Sequence, residues 1–80
     1  MADRHKHAAL AGIAGRTATI ATAEADRERE IARALHHGAP WSEIAGALGV
    51  TAQSAHRRFR WLRYDPVTRR SWQERPLPLR

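Results

Sequence analysis

Within eleven residues, Gln53 to Arg63, the chain places a carboxamide, an imidazole and four guanidinium groups: Gln53, His56, Arg57, Arg58, Arg60 and Arg63. These groups donate hydrogen bonds and, in the arginines, carry fixed positive charge. Their chemistry is recognition. A guanidinium fork matches phosphate oxygens or the O6/N7 edge of guanine, and a carboxamide matches the N6/N7 edge of adenine. Chemistry of other kinds has little footing. No glycine-rich phosphate loop, Ser/His/Asp arrangement or paired carboxylates occur, so no enzymatic activity is expected. His5, His7, His36 and His37 match no metal-ligand spacing and no cysteine assists them, so no metal or cofactor is expected. No small-molecule ligand is implied either.

The elements that must carry these groups can be read from periodicity and punctuation. Thr51 suits a helix N-cap, its hydroxyl able to accept a free N–H of the first turn. From there Ala55, Phe59 and Leu62 share an apolar face, while Gln53, His56, Arg57 and Arg60 lie opposite. Just before it, Trp41, Ile44, Ala45 and Leu48 recur at helical spacing after Pro40 and before Gly49. Further back, Ala8 to His37 favours helix. Ile20, Ala23, Ile31, Ala34 and Leu35 mark an apolar stripe interrupted by Arg27, and Asp26–Arg29 and Glu30–Arg33 form favourable i,i+3 pairs. Gly12, Gly15, Thr17, Thr19 and Thr22 lower helix propensity, which predicts a break or bend around 15–19. The expected helix is thus firm over about 19–36 and marginal before it, ending at His36, His37 and Gly38.

Beyond Leu62 the character changes. Asp65-Pro66 begins a turn. Arg69 to Gln73 reads as a short strand returning on Leu62–Tyr64 or as an extended arm, and Pro76 and Pro78 exclude regular structure at the end.

Charge is divided unevenly between these parts. Of the net +6, none belongs to residues 1–49, where six basic and six acidic residues cancel; eight arginines face only Asp65 and Glu74 over residues 50–80. Thirteen of the fourteen basic residues are arginine and sixteen residues are alanine, a bias that GC-rich coding accounts for in part, so position carries more meaning than abundance. A one-sided basic region fits a polyanionic partner. The 80 residues have room for one small domain. The alanine- and glycine-rich run from Ala8 to Gly15 is too short and too weakly apolar for a secretion signal or membrane span, and the expected setting is cytoplasmic, on the nucleoid.

The stretch Glu43 to Phe59, "EIAGALGVTAQSAHRRF", resembles the helix-turn-helix of bacterial DNA-binding proteins, especially small regulators of high-GC bacteria. The resemblance covers roughly residues 40–60 and rests on Ile44-Ala45, Leu48-Gly49-Val50 and Ala55. It implies that Ala45 sits where two helices touch, that Gly49 takes a left-handed turn and that Ala55 packs the second helix inward. Arg58 departs from the pattern, which favours an apolar residue there, and Phe59 stands in for it. The resemblance further implies that the second helix enters a major groove. Ala52, Gln53, His56, Arg57 and Arg60 would face base edges. Thr51, Ser54, Arg58 and Arg63, with Arg69 and Arg70 behind them, would hold phosphates. Trp41, Ile44, Leu48, Val50 and Phe59 fall to the core.

The expectation is therefore an all-α, three-helix helix-turn-helix domain with a long N-terminal helix and a basic C-terminal arm or minimal wing. Its parts are a flexible or marginally helical segment over 1–18, the helical domain over 19–62 and the basic arm over 63–80. Its partner is double-stranded DNA, in transcriptional regulation, with a homodimer formed through the 19–36 helix and no membrane. Two other roles stay open at this level. One is a protein-interaction module docking on an acidic partner, and the other is RNA binding through the basic, aromatic tail.

Overall fold

In the computed structural model, which describes residues 2–78, the chain forms α1 (Ala2–His36), α2 (Trp41–Leu48), α3 (Ala52–Phe59), β1 (Leu62–Asp65) and β2 (Arg70–Gln73). Met1, Leu79 and Arg80, which end the expected 1–18 and 63–80 segments, lie outside the described residues. At about 1.5 Å rise per residue a helix as long as α1 spans roughly 52 Å, which accounts for the 55 Å long axis.

The expected break at 15–19 is corrected: α1 is continuous. The reason lies in how its poor helix formers are satisfied. The hydroxyls of Thr17, Thr19 and Thr22 each donate to the carbonyl four residues earlier, on Ile13, Gly15 and Ala18, at 2.7, 3.0 and 3.1 Å. Bonded this way, the hydroxyls are satisfied inside the helix at a small cost, too small to break it among so many alanines. The flanking alanines offset the two glycines. The pairs Asp26–Arg29 and Glu30–Arg33 form as read.

The end of α1 is a Schellman motif. Gly38, at φ 86°, donates to Leu35, and Ala39 donates to Ala34, both at 3.0 Å. Pro40, at φ −71° and ψ 155°, then leads into α2 in the extended conformation.

The expectation of an all-α domain is overturned by the C-terminal part, where β1 and β2 pair antiparallel and make the fold mixed. The pairing sets Leu62 opposite Gln73, Arg63 opposite Trp72, Tyr64 opposite Ser71 and Asp65 opposite Arg70. Of the two sequence readings of Arg69 to Gln73, the returning strand is the one formed. The third helix correspondingly stops at Phe59 rather than continuing to 62. The turn is fixed locally. Asp65 accepts the Val67 N–H at 2.9 Å through its carboxylate and the Arg69 N–H at 2.7 Å through its backbone carbonyl, while Arg69 takes a left-handed φ of 59°. Alternation places Leu62 and Tyr64 on one face of the hairpin, toward α1, and Arg63 on the other.

The core forms where these pieces meet. Ile31 and Ala32 of α1, Ile44 of α2, Phe59 of α3 and Leu62 of β1 are buried together, with Leu35, Trp41, Leu48 and Tyr64 packed around them. Val50, assigned to the core from sequence, is instead 48% exposed, because the left-handed turn at Gly49 carries the chain outward. Ile20 and Ala23 of the expected stripe are also exposed, since α1 has left the globular part before reaching them.

Candidate nucleic-acid interface

α3 is positioned by its corner. Ala45 and Ala55 are 3% and 1% exposed, so α2 and α3 meet at two side chains that end at Cβ. A larger group at either position would wedge the pair apart. Gly49 sits at φ 74°, in the left-handed region, and its N–H and that of Val50 both donate to the Ala45 carbonyl at 2.9 and 3.1 Å. Open space surrounds its missing Cβ, so the demand for glycine here is conformational rather than steric. Thr51 then caps α3. Its hydroxyl oxygen accepts the Ser54 N–H at 3.1 Å and donates to the Ser54 hydroxyl at 2.9 Å. Each of these features falls where the sequence places it.

Ala55 and Phe59, four residues apart, fix the inward face of α3. At 100° per residue the opposite arc holds Gln53 and Arg57, with Arg60 and Ser54 at its edges, and His56 sits on the flank about 80° from the inward direction. Ala52 and Arg58 are exposed but lie on the flanks, nearer the buried side. The base-facing set read from the sequence therefore separates into an outermost trio and two residues held closer in. His56 meets the Trp41 indole edge-on, with ring centroids 5.2 Å apart, so α2 orients the imidazole. The Arg58 guanidinium lies 5.1 Å from the centroid of the Phe59 ring, and that of Arg60 lies 4.7 Å from Trp61. Stacking of this kind holds a guanidinium in place without neutralising it.

Arg63 has a different part. Its guanidinium donates to the carbonyls of Arg60 and Leu62 at 3.3 and 3.0 Å and approaches the Glu74 carboxylate at 3.4 Å. It closes the joint between α3 and the hairpin, a duty that its place in an arginine run gave no sign of. Among the described residues, Arg57, Arg58, Arg60, Arg69 and Arg70 have no ion-pair partner. Arg69 and Arg70 are exposed at the far end of the hairpin, about 10 Å along β1 from Leu62. Asp65, at the same end, has its carboxyl held below the usual value, chiefly by the hydrogen bond from the Val67 N–H. It remains the turn's acceptor and not a counter-ion for the arginines.

Trp72 belongs to the basic, aromatic tail. It is 46% exposed and stands directly across the hairpin from Arg63, so an indole and a guanidinium share one face. No family model, curated protein or solved structure matches this chain. Among the described residues, no helix is long and apolar enough to cross a membrane.

Proposed function

We propose that this protein binds double-stranded DNA through α3, as a small regulator of the helix-turn-helix kind. The observation that carries the reading is the outward arc of α3. Gln53, Arg57 and Arg60 project from a helix whose opposite side is locked into the core, and the arginines there have no acidic partner among the described residues. Unneutralised charge on a rigid, protruding helix favours a polyanion, and a carboxamide beside it adds the means to distinguish bases. Gln53 and Arg57 read base edges, with Arg60 beside them. Thr51, Ser54 and Arg58 take the phosphates at the flanks, and His56 is oriented for either. Arg69 and Arg70 reach a second stretch of backbone from the hairpin. Arg63 serves mainly to hold the helix and hairpin at a fixed angle.

Selection of binding sites from random duplexes, followed by sequencing, tests this. The expected result is an enriched motif whose information is lost at one or two positions in Arg57→Ala, at a cost of about 1–3 kcal/mol. Arg69→Ala should weaken all sequences alike and reduce the salt slope by about 1. No enrichment, together with capture of an acidic protein that resists nuclease, would favour the interaction-module reading. Retention of single-stranded RNA alone would favour the tail.

A further inference from the structure

Every residue from Asp3 to Arg27 is exposed, so about two thirds of α1 stands clear of its own chain. That length carries large apolar groups where solvent gives them nothing: Leu10, Ile13 and Ile20 are 55–61% exposed. They belong to a seven-residue repeat. One row is Asp3, Leu10, Thr17 and Glu24; the other is Lys6, Ile13, Ile20 and Arg27. Two rows spaced alternately by three and four residues form the seam of a two-stranded coil.

The charges at the ends of the seam say what covers it. A parallel pair would set Asp3 on Asp3, Lys6 on Lys6, Glu24 on Glu24 and Arg27 on Arg27, with like charges at every terminal layer. An antiparallel pair sets each residue of one row against the other row, and one register satisfies all layers together. Asp3 meets Arg27, Lys6 meets Glu24, Leu10 meets Ile20 and Ile13 meets Thr17, with each pair repeated by symmetry. Opposite charges close both ends and apolar groups fill the middle. Ala9, Ala14, Ala21 and Ala23 flank the seam and let the helices approach closely; beside the axis Ala14 meets its own copy on one side and Arg16 meets its own, a like-charged contact, on the other.

We propose that α1 pairs with α1 of a second copy, antiparallel, in this register. The pairing surface is residues 3–27 and not the 19–36 helix, because Ile31 and Ala32 are already buried in the chain's own core. The two globular parts then sit at opposite ends of the rod, with Ile31 of one copy about 48 Å along the axis from Ile31 of the other. That exceeds the 34–36 Å between half-sites one helical turn apart. The proposal stands apart from DNA binding, and either can fail without the other.

Charge reversal tests it in the full-length protein. Lys6→Glu and Glu24→Lys should each weaken the sedimenting dimer on the order of tenfold or more, because two core layers turn from opposite to like charge. Neither change harms the isolated helix: an acid suits its first turns, and Glu24→Lys removes the like-charged Glu24–Glu28 pair. Association lost in each single variant and regained when the two are mixed therefore reports on pairing and not on helix propensity. Mixing the two single variants should restore a heterodimer, as should the double variant with itself. The chain has no cysteine, so Leu10→Cys mixed with Ile20→Cys should cross-link on oxidation while Leu10→Cys alone does not. A wild-type monomer at high micromolar concentration, a failure of the mixed variants to associate, or cross-linking of Leu10→Cys with itself would overturn the pairing.

Discussion

The two ends of α1 belong to one continuous helix and have opposite fates. Over residues 28–36 the helix is held on one side by α2, α3 and the hairpin, and Ile31 and Ala32 are nearly inaccessible. Over residues 3–27 every residue of the same helix is exposed, and only Arg27, at the end of that stretch, lies beside α2 and α3. Its conformation there rests on local terms, chiefly alanine propensity and the Asp26–Arg29 pair. Such terms contribute a few tenths of a kcal/mol each, whereas burial of one large side chain contributes about 1.5–3 kcal/mol. Stability should therefore be concentrated in one third of α1 and the elements that cover it, and the protruding part should gain its own only by association.

Substitutions at both ends test this division of stability. Phe59→Ala should have the largest effect, about 3–5 kcal/mol, because Phe59 joins α3 to both α1 and the hairpin. Chemical denaturation would show the loss, and a cost below 1 kcal/mol would mean that the core is not where stability lies. Gly49→Ala should follow at about 1–2 kcal/mol, since an L-residue must take a left-handed φ although space is open around its Cβ. Smaller again is a pH effect at the hairpin. The Asp65 carboxyl is lowered in the folded state by the Val67 N–H, so its contribution is complete above its unfolded value, near 3.9, and is lost as pH falls through the folded one. Asp65→Asn keeps an acceptor for Val67 and should flatten that acid limb of the stability profile. Ile20→Ala should change the dilute monomer by no more than about 0.5 kcal/mol, while weakening any dimer. A large loss in the monomer would show that residues 3–27 fold against the rest of the chain.

The corner was legible from sequence because its causes are local. A positive φ calls for Gly49, a first turn with free N–H groups calls for Thr51, and a close helix contact calls for Ala45 and Ala55. The same locality misled elsewhere. Low propensities at Gly15, Thr17 and Thr19 argued for a break, but each is a fraction of a kcal/mol up to about 1 kcal/mol, and the surrounding alanines outweigh them. The hairpin was ambiguous because pairing of Leu62 with Gln73 depends on residues eleven apart, while Arg69 to Gln73 alone fits an arm equally well. Arg63 looked like one more phosphate ligand because a run of arginines does not reveal which of them turns back onto carbonyls and Glu74. Val50 fits the apolar pattern, and only the direction of the chain after Gly49 shows that it faces out. The stripe on α1 was read from Ile20 onward. Its other half, Leu10 and Ile13, becomes visible when the seven-residue spacing is followed back toward the N-terminus.

The outward face of α3 is proposed to engage a nucleic acid duplex. Equilibrium titration of a labelled random duplex across a series of salt concentrations tests it most directly. Log K should fall linearly with log salt at a slope of about −0.9 for each phosphate engaged, and Arg57→Ala and Arg60→Ala should lower the affinity while leaving the fold intact. Affinity that is absent at physiological salt, or that is unmoved by both substitutions, would contradict it.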